Sequence, residues 1–183
     1  SSFPLDVVDE QNCKITFQKI ISEFTEIDLC IFCSGTYDPK KEKEIDIKQS
    51  KFIMDVNYFG VLNCVKTVEN YFKDKKNGHI SIVSSIAGYR GLPNSSGYGP
   101  SKAALNMIIK NTSIEVRRRC PKAIVVGLHP GTVNSKLSEP FQSNVPTEKL
   151  FTSQYAANKL KNVLDALAKG DAFDVPPSLF KQE

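Results

Sequence analysis

Short unbroken apolar runs alternate along this chain with longer stretches in which apolar residues return every three or four positions. Ile27–Cys33, His79–Val83 and Ala123–Leu128 are the runs, and their length and content predict buried β-strands. Between the first two, Gln49–Phe72 predicts a helix, with Phe52, Ile53, Val56, Phe59, Gly60 and Leu62 on its recurring faces. A second helix is expected to open at Pro100, where proline is tolerated in the first turn, and to end near Arg119. It carries Ala103, Ala104, Ile108, Ile114 and Val116. A third is expected from Ser153 to about Lys169, stopped by Gly170, and Phe173–Pro177 is expected as an added edge strand. The connections are a polar loop at Thr36–Ile47, a Gly/Ser/Pro-rich segment at Ser84–Gly99, and a polar loop from the Pro130-Gly131 turn to Phe151. The charge run Lys40–Glu44 is expected to be solvated.

Strand–helix alternation predicts an α/β fold with a parallel sheet and crossover helices, its strands apolar because both faces are covered. At 183 residues the chain suits a single domain over 1–183. Hydrophobic residues are 40% and charged residues 24%, which excludes wholesale disorder. The five cysteines, at positions 13, 30, 33, 64 and 120, lack zinc-type spacing, so reduced thiols in a cytoplasmic protein are expected and no metal site. The net charge of +4 is mostly lysine; the Arg117–Arg119 cluster complements a helix C-terminus, and no nucleic-acid role is expected. No apolar run reaches the length of a membrane span.

In an open α/β sheet, ligands lie beyond the carboxyl ends of the strands. Three segments should therefore converge: Cys33-Ser34-Gly35-Thr36, Ser84-Ser85-Ile86-Ala87-Gly88, and His129-Pro130-Gly131-Thr132-Val133. Tyr98 and Lys102 stand one helical turn apart near that edge. An ammonium beside a phenol favours the phenolate, so the pair can handle protons near neutrality, with a serine hydroxyl beside it to hold a substrate oxygen. The spacing alone carries no weight, because Tyr37/Lys41, Tyr71/Lys75 and Tyr155/Lys159 repeat it. Only Tyr98 follows a strand-end Ser-Ser; the other three are expected to be surface pairs. Taken singly, Ser85, Tyr98, Lys102, Asn57 and Asp6 each have a structural explanation. His129 is expected as a structural strand-end residue and Cys33 as a small buried one, while Phe141, Phe151 and the loop between them are a candidate lid.

Together, Ser84–Gly88, Tyr98-Gly99-Pro100-Ser101-Lys102-Ala103-Ala104-Leu105, Pro130–Val133 and Asn57, in that spacing, resemble the classical short-chain dehydrogenase/reductase family. The stretch His129–Phe141 looks most like its C-factor-like bacterial branch. The resemblance runs from about Leu5 onward. It implies a Rossmann-type doubly wound parallel sheet and an NAD(P)-dependent oxidoreductase interconverting a carbonyl and a secondary alcohol. It implies Tyr98 as acid/base, Lys102 as the group that lowers the Tyr98 pKa and bonds the nicotinamide ribose, Ser85 orienting the substrate oxygen, and Asn57 holding a water behind Lys102. Asp6 and Val7 would touch the adenine, Cys33, Ser34 and Gly35 would line the cofactor, and Pro130, Gly131 and Val133 would border the nicotinamide. Ser135 matches a position where the family often has threonine. NAD or NADP is implied, with NADPH slightly preferred, as is a homodimer or homotetramer through the two long helices.

Two departures stand out. The family's Asn-Ala-Gly reads Cys33-Ser34-Gly35, and the glycine-rich turn that presents backbone N–H groups to the pyrophosphate is absent. The expectation is a part of a longer chain, lacking the first βαβα unit. A catalytically silent scaffold, kept for binding or signalling, is the alternative.

Overall fold

The computed structural model describes residues 1–169; the expected stop at Gly170 and edge strand at Phe173–Pro177 lie outside them. Three parallel strands, β1 (Leu29–Phe32), β2 (His79–Val83) and β3 (Ile124–Leu128), lie in the order β1-β2-β3. Leu29 pairs with His79 and His79 with Ile124, so all three strands end at one edge.

The helices cover both faces. α1 (Glu10–Phe24) is an element that the apolar pattern did not announce. Its start is fixed by Asp9, whose carboxylate accepts from Asn12 N at 2.9 Å. α2 (Ile47–Met54), a six-residue π turn (Asp55–Gly60) and α3 (Val61–Lys75) form one continuous helix. The buried stripe on it is Ile53, Asn57, Gly60, Val61, Cys64, Val65, Val68 and Phe72. Of the apolar residues on its recurring faces, Ile53 and Gly60 are buried, whereas Phe52 and Phe59 are 52% and 49% exposed. α4 (Tyr98–Arg119) begins two residues before Pro100. Leu105 and Ile109 bring it into the core, whereas Ala103 and Ile114 face out. It also buries Ser101, Lys102, Asn106 and Thr112, so apolar periodicity describes it poorly.

Val61, Val65, Val68 and Phe72 of α3 meet Ile80 and Ile82 of β2 and Leu105 and Ile109 of α4 in the main core. On the opposite face Val126, Leu128 and Val163 pack together, the last from α5 (Ser153–Ala168). Cover on both faces explains why β2 and β3 read as mostly apolar runs. The loop after β3 is more ordered than its polarity suggested. β4 (Thr132–Val133) pairs in parallel with β5 (Leu150–Phe151), and Val133 sits opposite Phe151. Among the described residues no helix is long and apolar enough to cross a membrane.

Candidate active site

At the carboxyl end of β2 the two adjacent serines part ways. Ser84 N continues the sheet by donating to Leu128 O at 2.7 Å. Its hydroxyl turns into α4, donating to Asn106 Oδ1 at 2.5 Å, and is 3% exposed. Ser85 opens a 3-10 turn (Ile86–Gly88), its Oγ accepting from Ala87 N at 3.1 Å. It also lies near enough to the Tyr98 hydroxyl to act on its pKa. The turn lies so close to α4 that a Cβ on Gly88 would stand 2.5 Å from Asn106 Nδ2 and 2.7 Å from Lys102 O. Glycine is what lets the serine-bearing turn reach the helix.

Lys102 is buried behind Tyr98. Its Nζ donates to Val83 O at 3.2 Å and sits 5.8 Å from the Tyr98 ring centroid. Burial pulls the Lys102 pKa down to about 8, partly opposed by the neighbouring Cys33. Burial also pushes the Tyr98 phenol up, and the nearby Ser85 hydroxyl pulls it partly back.

Asn57 is fully buried in the π turn, the kind of helix irregularity that often marks a functional position. Its Oδ1 accepts from Thr36 N at 2.7 Å, and its Nδ2 donates to Thr36 O and to Ser101 Oγ, both at 3.0 Å. The side chain thereby ties the segment after β1 to α4. A Cβ on Gly35 would lie 3.5 Å from Lys102 Nζ and 3.6 Å from Asn57 Oδ1. Gly35, Asn57, Lys102, Tyr98 and Ser85 thus form one cluster.

The other expected residues fall around it. Val7, Cys33 and Ser34 line an open groove of about 350 Å³ along β1. Asp6 is exposed at its rim and holds an Asx turn to Val8 N at 3.0 Å. Cys33 is exposed rather than buried, because the strand ends one residue before it. Pro130 and Val133 line an apolar cavity of about 270 Å³ with Val83, Leu128 and Leu160. Gly131 lies under the Phe151 ring, 2.8 Å from where its Cβ would be. Ser135 is exposed, and its N–H donates to Ser138 Oγ at 3.3 Å. His129 is buried, its Nε2 3.3 Å from Tyr89 Oη, with burial lowering its pKa.

Two residues of the site were not legible as such. Tyr37, expected in a surface pair, lays its ring on Tyr98 with centroids 4.5 Å apart, and meets Phe141 at 5.7 Å. Glu42, expected in solvent, is 3% exposed, and its Oε2 accepts from Gly97 N at 2.5 Å and Tyr98 N at 3.2 Å. The candidate lid divides: Phe141 joins the Tyr37–Tyr98 cluster, whereas Phe151 stacks on Tyr155 at 5.2 Å.

Residues 1–146 match the family described as short chain dehydrogenase. The chain belongs to that family. An uncharacterized oxidoreductase of Bacillus subtilis is 32% identical over 155 residues, 82% of this chain and 54% of the relative. Another, of Schizosaccharomyces pombe, is 30% identical over 138 residues, 75% of this chain and 54% of the relative. The chain spans about half the length of these curated relatives. Among solved structures, ElxO with NADP bound superposes with a TM-score of 0.77 at 22% identity, covering 96% of this chain and 73% of that one. NAD+-bound xylitol dehydrogenase gives 0.71 at 20% identity, covering 91% and 71%. At these identities the likeness is one of fold, a Rossmann-like α/β sheet.

Proposed function

We propose that this chain carries the proton-handling half of an NAD(P)-dependent oxidoreductase that interconverts a carbonyl and a secondary alcohol. The observation that carries the reading is the placement of Tyr98 beside Ser85 with Lys102 buried behind it. In the reducing direction Tyr98 Oη gives its proton to the carbonyl oxygen, and in the oxidising direction it takes the alcohol proton. A phenol is protonated at neutral pH, as the reducing direction requires. Ser85 Oγ donates a hydrogen bond to the same oxygen and orients it. Asn57 holds Thr36 and Ser101 in place beneath the pair.

The residues present fit the nicotinamide half of a dinucleotide. The Lys102 ammonium has three N–H donors, and among the described residues Val83 O is its one hydrogen-bond acceptor. A ribose hydroxyl would suit the others. Gly35 presents bare backbone beside it, and Cys33, Ser34, Pro130, Gly131, Val133 and Ser135 would border the ring and its ribose, with Asp6 and Val7 toward the adenine. When bound, the nicotinamide supplies or accepts the hydride. The sequence offers no glycine-rich turn for the pyrophosphate, so no residue of this chain is assigned to it. Phe52, Phe59, Met107 and Ile114, all about half exposed on the two long helices, support a homo-oligomer through them.

The test is a calorimetric titration of the full-length protein with NADH and NADPH, followed by turnover against a carbonyl panel. Saturable binding, tighter for NADPH, with turnover that Tyr98→Phe abolishes is the expected result. Binding without turnover on any carbonyl would favour the silent scaffold instead.

A further inference from the structure

An α-helix leaves its first N–H groups without partners inside the helix. In α4 these groups are met from outside it. Gly97, at the cap position, has no side chain to accept a bond, and a Cβ there would stand 2.9 Å from Ser50 Cα. Gly99 N donates to Ser95 Oγ at 3.0 Å, and Pro100 has no N–H. The remaining two, Gly97 N and Tyr98 N, both donate to Glu42 Oε2, which Ser96 Oγ also approaches at 3.4 Å.

Glu42 comes from the loop between β1 and α2, far away in sequence. It is 3% exposed, and its Oε1 has no hydrogen-bond partner among the described residues. A buried carboxylate with one oxygen unsatisfied is costly. A Ser or Asp beside the helix start could cap it without that cost. What Glu42 provides beyond a cap is a fixed tie to the backbone of Tyr98 itself. The same loop supplies Tyr37, whose ring lies on Tyr98 and whose hydroxyl donates to Asn94 O at 2.9 Å. The loop thus grips Tyr98 twice, by its main chain and by its ring.

We propose that Glu42 is a positioning residue for Tyr98, fixing the start of α4 so that the phenol meets Ser85 and the substrate oxygen in one geometry. The proposal rests on Tyr98 being the acid/base. It is tested in the full-length protein with Glu42→Ala and Glu42→Gln, the latter keeping an acceptor oxygen for the two N–H groups. Glu42→Ala is expected to lower kcat about tenfold, leaving KM and dinucleotide affinity within about twofold, and Glu42→Gln to recover most of the loss. Unchanged kcat in folded Glu42→Ala, or a loss that Glu42→Gln does not restore, would overturn it. Should Glu42→Ala not fold, Glu42→Asp, one methylene shorter, is expected to show the same kcat-only loss and is judged by the same criteria. If the unsubstituted protein turns over no carbonyl, the functional reading fails by itself. The ring resonance of Tyr98 in 13C-tyrosine-labelled protein, assigned with Tyr98→Phe, then decides on Glu42. A line that moves or broadens in Glu42→Ala and returns in Glu42→Gln supports positioning; identical lines in all three overturn it.

Discussion

The two flanks of β2 differ in how they treat polar groups. Toward α4, Ser84, Asn57, Ser101, Tyr98 and Lys102 are linked by side-chain and main-chain bonds across three separate segments. Toward β1, an edge strand of the sheet among the described residues, the surface is a groove lined by Leu5, Val7, Leu29 and Cys33, and Ile31 is 40% exposed. Proton transfer needs donors and acceptors fixed before the reaction. A long ligand needs shape and area more than fixed polar atoms. The contrast fits a rigid chemical centre beside a receptive trough.

The strongest way to break this contrast is Tyr98→Phe. Removing the hydroxyl is expected to lower kcat by roughly 10²–10⁴-fold while the melting temperature stays within a few degrees. Unimpaired steady-state turnover would remove Tyr98 from the chemistry. Lys102→Met should abolish activity and raise stability together. The folded pKa of about 8 lies below the ordinary lysine value of 10.5, so the unfolded chain binds more protons between those values. Stability therefore rises with pH across that window, by on the order of 1–3 kcal/mol from this group. Denaturant melts at pH 7, 8.5 and 10 should show the climb in the unsubstituted protein and a flatter line in Lys102→Met.

A finer division separates the two serines. Ser85→Ala is expected to cost about 10–100-fold in kcat with little change in stability. Ser84→Ala should instead destabilise by roughly 1–2 kcal/mol, because it leaves Asn106 unpaired. Parallel kinetics and urea melts would separate these outcomes. The smallest effect concerns the groove. Cys33 is exposed, whereas Cys13, Cys64 and Cys120 are buried and Cys30 is half-buried with its thiol pushed up to about 12. A thiol reagent under native conditions should label Cys33 first, read by mass spectrometry.

The strands and the Ser85–Tyr98–Lys102 set could be read from the chain because each is local. A strand is a contiguous apolar run, and Tyr98 and Lys102 are one turn apart just after a strand end. The misjudged residues depend on closure over long distances. Glu42 looks solvated among four charged neighbours until the loop folds onto α4, and Tyr37 looks like a chance spacing until its ring meets Tyr98. The π turn at Asp55–Gly60 was not legible either, because a break in the 3.6-residue period leaves no local signature in the apolar pattern. The Asp9 cap of α1 was present in the sequence, but the apolar pattern behind it is weak.

That π turn has an evolutionary side. It closes i to i+5 rather than i to i+4, so it accommodates about one residue more than a regular turn and leaves the stripe from Val61 to Phe72 in phase with the core. Deleting a single residue between Asp55 and Gly60 would let the helix run straight through, keep that stripe in place and take Asn57 from its seat. A lineage could therefore lose the site through one in-frame codon deletion that leaves the apolar core in place. Silent descendants of such a chain would carry a gap there rather than an altered tyrosine.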